Sequence, residues 1–273
     1  MRRIIPPFIV NLESSLARGL ILDCLPGYGP FNNALPQWPH SFAYGTGITI
    51  TRGPYGKQVT LDGAQGVAAL SFSDGIDFLS GATEATIACL YYAGSGGPIG
   101  RIGRWGTAQQ FGMFFAPEMA LAVRGVGGEG IGAWDTDATT MVANAWHHCV
   151  ISWKAIIGGD TVQMFVNGVS YANALFTGGA GHSALIADVA PYSLVGHSDD
   201  AAVQVVGNIV YVRQWSRALT HAEVVAMYQD PMVLYRQRKS RARVPDAVTI
   251  MGMHSVGASM HRIIRPIAYS PDR

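Results

Sequence analysis

Short segments in which apolar and polar residues alternate recur along the chain, and this periodicity is the feature that most restricts the fold. In "AWHHCVISWK", Trp146 and His148 fall on one face of a strand, and His147 and Cys149 fall on the other. In "DTVQMFVNGVSY", the Asn-Gly pair predicts a two-residue hairpin turn. At least eight such segments are separated by glycine-rich turns and not by helical patterns. They predict an all-β fold, a two-sheet antiparallel jelly-roll sandwich.

One short helix is predicted near the C-terminus, in "ALTHAEVVAMY". Thr220 can cap its first turn, and the Glu223 carboxylate can reach back to complete a capping box. Val224, Met227 and Tyr228 share one face at helical spacing. Asp230-Pro231 ends the helix, because a residue before proline is disfavoured in the helical region.

The charge distribution divides the chain into a mildly acidic body and a basic tail. Residues 1–234 hold 11 Lys/Arg and 16 Asp/Glu, a net charge of −5, whereas residues 235–273 hold eight Lys/Arg and two acids, a net charge of +6. We therefore predict an N-terminal arm (1–20), a jelly-roll domain (21–235) and a basic, extended C-terminal arm (236–273). The arm's clustered cations are Arg236, Arg238, Lys239, Arg241 and Arg243.

The basic arm favours an acidic neighbouring subunit as its partner. Nucleic acid is the competing partner, but no aromatic stacking platform accompanies the cations, so nucleic acid is not favoured. No apolar stretch approaches the ~18 residues that span a membrane, which argues against membrane insertion.

Metal and catalytic patterns are weak. The three cysteines form no CxxC pair, and adjacent His147 and His148 point to opposite strand faces. We expect His148 to pack inside with a satisfied hydrogen bond. No cofactor is predicted, although calcium stays open at two acidic clusters, Asp199-Asp200 and the pair Asp135 and Asp137 of a polar loop. A glycosidase needs paired carboxylates on one face, and Asp74 and Asp77 are three residues apart.

Aromatic residues in the long loops are candidates for stacking on sugar rings. The candidates are Trp38, Tyr44, Tyr55, Trp105 and Trp134. The alternative is that these rings anchor the loops to the sandwich, and the sequence does not show which rings are exposed.

Five segments, in order, carry a resemblance to a known family. They are "VTLDGAQGVAAL", "ATIACLYY", "NAWHHCVISWK", "GDTVQMFVNG" and "GNIVYVRQWSRALTHAEVVAMY". Over about residues 20–235 the chain resembles LamG-like jelly-roll domains of the concanavalin A-like lectin/glucanase superfamily. This resemblance implies structural roles for Trp146 and His148. The closing helix and basic tail also resemble LamG-domain proteins of tailed-phage structural gene clusters.

The narrower resemblance implies a non-catalytic virion structural protein, such as a capsid decoration or cement protein, or a head or tail fibre component. It would assemble in the host cytoplasm into the virion, and its arms would attach it to other virion proteins and to copies of itself. One alternative is a carbohydrate-binding adhesion module for host-surface glycans. A glycoside hydrolase is the second alternative.

Overall fold

The computed structural model describes residues 10–11, 14–28, 43–44, 47–62, 70–72, 79–95, 100–105, 110–115, 118–127, 129–136, 141–179, 181–187, 192–195 and 206–235. Within these ranges the chain forms sixteen strands and one α-helix, α1 (His221–Gln229). The strands are β1 (Leu20–Cys24), β2 (Ala43–Tyr44), β3 (Ile48–Gly53), β4 (Gly56–Asp62), β5 (Leu70–Phe72), β6 (Glu84–Ala93), β7 (Gly100–Trp105), β8 (Phe111–Phe115), β9 (Met119–Arg124), β10 (Ile131–Thr136), β11 (Trp146–Lys154), β12 (Thr161–Val166), β13 (Val169–Tyr171), β14 (Asn173–Gly178), β15 (Tyr192–Val195) and β16 (Val206–Trp215).

The strands form two antiparallel sheets, which confirms the predicted jelly-roll sandwich. Sheet A has the order β13-β12-β11-β6-β16-β4-β3, and β1 also pairs with β16. Sheet B has the order β14-β10-β9-β8-β7-β15-β5-β2. Neighbours such as β6 and β16 are far apart in sequence, and the pairing of β1 with β16 brings the first and last described strands together.

The main core lies between the sheets. From β11 it takes Cys149, Ile151 and Trp153, and from sheet B it takes side chains such as Phe111 and Leu121. The alternation groups these three β11 residues on one face, but the expectation that the His148 face is the inner one is wrong. All three cysteines are free and buried. Burial in apolar surroundings raises the pKa of the Cys24 and Cys89 thiols, which keeps both protonated.

A second apolar layer covers the outer face of sheet A. Val150, Phe165 and Trp215 of the sheet pack there with Val224 and Met227 of α1. The central strands of sheet A are therefore buried on both faces. As a result, an apolar residue in β6, β11 or β16 does not by itself reveal which face is the inner one.

The helix begins and ends as predicted. The Thr220 hydroxyl accepts a hydrogen bond from the Glu223 N–H at 3.4 Å, and the Glu223 carboxylate accepts one from the Thr220 N–H at 3.0 Å. Arg217 also pairs with Glu223 at 2.7 Å. In the described part of the chain, no helix is long and apolar enough to cross a membrane.

Part of the predicted N-terminal arm packs on the sandwich. Ser15–Ala17 form a 3₁₀ turn with Leu16 buried, and the Trp215 indole N–H donates to the Leu16 carbonyl at 2.7 Å. Residues 14–20 thus lie against the outer layer of sheet A. By compactness the chain divides into two units, 1–237 and 238–273, and the second unit lies outside the described residues.

Candidate functional site

The outer face of sheet A carries rows of side chains that its strand register sets side by side. One row is Trp146 of β11, Tyr92 of β6 and Asn208 of β16, and the next is His148, Leu90 and Tyr211. A register shift in β16 between Ile209 and Tyr211 brings Tyr211 opposite Leu90. The helix α1 covers the rows that include Val150 and Trp215, whereas these two rows lie near the edge of the area that α1 covers.

A pocket of about 100 Å³ opens on these rows where the helix ends. The residues lining it are Tyr55, Leu90, Trp146, His148, Asn167, Tyr228 and Pro231. Its rim is aromatic and accessible, because Tyr55 is 37% exposed and Tyr228 is 45% exposed. The pocket therefore combines exposed ring faces with a buried polar base.

The rings around the pocket are held by contacts with one another. Tyr55, in the turn between β3 and β4, meets Trp146 edge-on with ring centroids 5.2 Å apart. Trp146 in turn contacts Tyr92 at 5.4 Å. Tyr228, in the last turn of α1, stacks on the His148 ring at 6.2 Å. These contacts restrict the rotation of the rings and leave part of Tyr55 and Tyr228 open to solvent.

The Asn-Gly hairpin supports the pocket from one side. Asn167 and Gly168 both have positive φ, 53° and 77°, as a type I′ turn requires. The Asn167 side-chain oxygen accepts a hydrogen bond from the His148 N–H at 2.9 Å. A Cβ on Gly168 would lie 3.0 Å from Cδ1 of Tyr228, so glycine allows the helix to approach this closely.

His148 forms the base of the pocket. It is 1% exposed, and neither ring nitrogen has a hydrogen-bond partner in the described part of the protein. The expected burial is confirmed, but on the outer face of sheet A and not between the sheets, and the expected side-chain hydrogen bond is not found among the described residues. Burial, with a smaller effect of nearby Arg213, lowers the pKa of His148 to about 3, so the imidazole is neutral near pH 7.

A second group of polar side chains lies behind His148, and some of their atoms lack hydrogen-bond partners among the described residues. The Tyr211 hydroxyl and Nη2 of Arg213 are buried and have no partner among the described residues. The Arg213 guanidinium stacks on Tyr211 at 3.7 Å from the ring centroid, and its Nη1 donates to the Pro231 carbonyl at 2.9 Å. Burial raises the pKa of Tyr211, so its phenol stays protonated.

Comparison with known proteins agrees with this architecture. A laminin G family model, described as concanavalin A-like lectin/glucanases superfamily, matches residues 66–225. The chain belongs to this superfamily. A search of curated protein sequences gave no match.

Three solved structures that resemble this concanavalin A-like chain are binding domains of toxins. The receptor-binding domain of botulinum neurotoxin D is 12% identical, with a TM-score of 0.52 over 80% of this chain and 54% of that one. The same serotype's ligand-binding domain in complex with N-acetylneuraminic acid is 10% identical, with a TM-score of 0.50 over 79% and 52%. The binding domain of Paraclostridial mosquitocidal protein 1 is 14% identical, with a TM-score of 0.50 over 70% and 47%. The chain thus spans about half the length of each, and these similarities concern the fold.

The aromatic residues that the sequence suggests as sugar-binding candidates lie in different environments in this concanavalin A-like domain. Tyr55 lies at the pocket. The prediction for Trp134 is wrong: the side chain is 5% exposed in the core between the sheets, because its position on β10 points inward. Tyr44 and Trp105 lie on β2 and β7, and the positions of their side chains are outside the description, as is the whole of Trp38.

The candidate calcium ligands are not brought together in the described chain. Asp135 lies on strand β10 and not in a polar loop, because its neighbours Ala133 and Trp134 are buried in the sandwich. Asp137, Asp199 and Asp200 lie outside the described residues. Among the residues that are described, no three His, Cys, Asp or Glu side chains cluster in a way that could hold a metal ion.

Sequence reasoning missed most of the pocket. Trp146 and His148 were expected to have structural roles, and both line it. Tyr228 shares a helix face with buried Val224 and Met227, but it is exposed because it lies in the last turn of α1. Two sequence signals point to this site: Tyr55 among the candidate sugar-stacking rings, and the Asn-Gly hairpin, which predicts a sharp turn at Asn167.

Proposed function

We propose that this chain is a non-catalytic binding protein whose jelly-roll domain recognises a carbohydrate at the aromatic pocket. The observation that carries the proposal is the meeting of Tyr55, Trp146 and Tyr228 around the His148 imidazole, which has no hydrogen-bond partner among the described residues. Aromatic rings offer flat apolar faces to the C–H faces of a sugar, and the polar base offers hydrogen bonds to its hydroxyls. The toxin neighbours are binding domains, one in complex with N-acetylneuraminic acid, which supports the proposal at the level of fold.

The pocket's composition favours binding over hydrolysis. Glycosidases place two carboxyl groups on either side of the scissile bond. Of the described residues that line the pocket, none is an acid. The buried carboxylate of Asp23, behind the pocket, is already paired with Arg213. A glycoside hydrolase is therefore the less favoured function for this site.

A glycan array tests the proposed carbohydrate site. We expect the protein to bind specific glycans and the double variant Tyr55→Ala/Tyr228→Ala to lose that binding, because both exposed rings are removed. Ile157→Ala is a matched control, because Ile157 is 89% exposed and lies beyond the opposite end of β11 from Trp146. Equal binding by the double variant would place the site elsewhere, and no binding by the native protein would contradict the function.

We further propose that the protein serves in a virion, as a capsid decoration or cement protein or as a fibre component. Two features support this proposal: the resemblance of the chain to LamG-domain phage structural proteins, and the net charge of +6 in residues 235–273 against −5 in the rest. In this role the cations from Arg236 to Arg243 bind an acidic surface of a neighbouring subunit. The pocket on the sandwich then faces host-surface glycans.

Deletion of residues 236–273 tests the virion role. We expect the truncated protein to remain folded and to be lost from purified particles. A charge-reversed variant, with Glu at Arg236, Arg238, Lys239, Arg241 and Arg243, separates the charges from the length of the arm. Normal incorporation of both variants would contradict the proposed attachment.

A further inference from the structure

We infer that the aromatic pocket selects a sugar residue that carries no carboxylate and that the His148 imidazole is the group at its base that hydrogen-bonds the sugar hydroxyls. This inference rests on the proposed carbohydrate function. Beyond carbohydrate binding, it specifies the charge of the bound sugar. It also assigns His148 as the residue that positions the sugar by hydrogen bonds.

The first argument is the hydrogen-bonding state of His148. A buried polar group without a partner costs free energy, and most buried polar groups in proteins have partners. His148 is 1% exposed and lines the pocket, yet both ring nitrogens are unpartnered in the described chain. A neutral imidazole offers one donor and one acceptor. A sugar hydroxyl is both donor and acceptor, so it can pair with either nitrogen.

The second argument is the absence of charge around the pocket. None of the described lining residues is charged near pH 7, because burial holds the pKa of His148 at about 3. Arg213 is a cation that acts on His148, but its guanidinium is paired with Asp23 at 3.0 Å. A carboxylate group would lose hydration on entry and find no unpaired opposite charge. The pocket therefore disfavours uronic acids and sialic acids.

The third argument is size. The pocket has a volume of about 100 Å³. Pockets that enclose drug-sized ligands are several times larger, roughly 300–1,000 Å³. The pocket thus takes in one edge of a single sugar residue, while Tyr55 and Tyr228 at the rim contact its ring. A terminal hexose fits this description better than an internal residue of a chain.

The experiment compares oligosaccharides that differ only in their terminal residue, a neutral hexose or the corresponding uronic acid, on one array and then by calorimetry. We expect at least one hexose-terminated glycan to bind, and its uronic acid counterpart to bind at least about tenfold more weakly. Equal or tighter binding of the acid-terminated glycan overturns this inference and leaves the carbohydrate function in place. Failure of every glycan to bind overturns both.

Two variants test the role of His148 in the same assay. His148→Phe keeps a flat ring for stacking with Tyr228 and removes both hydrogen-bonding nitrogens, so we expect about tenfold weaker hexose binding. His148→Gln keeps a donor and an acceptor, and we expect it to bind more tightly than His148→Phe. If both variants match the native affinity, the assignment of His148 is wrong. If both fail to fold, the comparison of neutral and acidic glycans on the native protein still decides the charge selectivity.

Discussion

The Arg213 guanidinium donates from Nε to a carboxylate oxygen of Asp23 at 3.0 Å, and both side chains are fully excluded from solvent. The other Asp23 oxygen accepts from the Tyr235 hydroxyl. This pair joins β1 to β16, and Tyr235 ties the segment after α1 to both strands. Arg213 also donates a hydrogen bond to the Pro231 carbonyl. These contacts thus hold in place the segment after α1 that forms the pocket wall at Pro231.

Asp23→Asn should destabilise the fold strongly, by about 3–5 kcal/mol, because it leaves the Arg213 charge buried without its partner. Chemical denaturation measures this difference. Asp135→Asn, at a partly exposed position on β10, is the control and should change stability by less than about 1 kcal/mol. Similar effects of the two substitutions would contradict the importance of the buried pair.

Asp160→Asn should loosen the loops at one end of the sandwich. The Asp160 carboxylate accepts from the Trp153 indole N–H at 2.7 Å and the His182 N–H at 2.8 Å, and it contacts Nδ1 of His182 at 2.5 Å. An amide can replace only part of this set, so we expect a loss of about 3 kcal/mol. Thermal unfolding, with Asp135→Asn as the control, checks the size of the effect. Unchanged stability would show that these contacts do not hold the loops.

Thr220→Ala should cost about 1 kcal/mol, because the hydroxyl that caps the first turn of α1 is lost. Thr220→Ser keeps the hydroxyl and should stay within about 0.5 kcal/mol of the native protein. Denaturant unfolding of the two variants side by side makes the comparison. Equal stability of the alanine and serine variants would mean that the cap contributes nothing.

His148 should make the protein less stable as pH falls below about 6.5. Its pKa is about 3 in the folded state, against an ordinary value of 6.5, so in this window the unfolded chain takes up a proton that the folded chain does not. His148 contributes up to about 1.4 kcal/mol per pH unit to the decrease in the free energy of unfolding. Denaturant unfolding from pH 8 to pH 5 should show a shallower decline for His148→Gln than for the native protein. Parallel curves would contradict the neutral, buried imidazole.

Local sequence signals predicted the elements that depend on neighbouring residues. The Asn167-Gly168 turn requires positive φ, and the capping box at Thr220 needs only residues three apart, so both could be read from the chain. The assignment of Cys149 and His148 to opposite faces of β11 followed from alternation. The second apolar layer could not be predicted, because it depends on which distant segments cover the outer face of sheet A.

The site was harder to predict than the fold because exposure is a tertiary property. Trp134 and Tyr55 are both aromatic residues near glycines, yet one is in the core and the other is at the pocket rim. Tyr228 has the spacing of a buried helical residue and is exposed where α1 ends. Trp146 and His148 come together with Tyr228 only through the pairing of β11 with β6 and the approach of the helix to Gly168.

The central claim is that the pocket framed by Tyr55, Trp146 and Tyr228 binds a sugar. The most direct measurement is a titration of ¹⁵N-labelled protein with the best neutral glycan from the array, followed by NMR. We predict saturable shifts of the Trp146 indole N–H signal and of the Asn167 and Gly168 amides, with the same affinity that calorimetry gives. Saturable binding that leaves these three signals unmoved and shifts amides elsewhere would contradict the account.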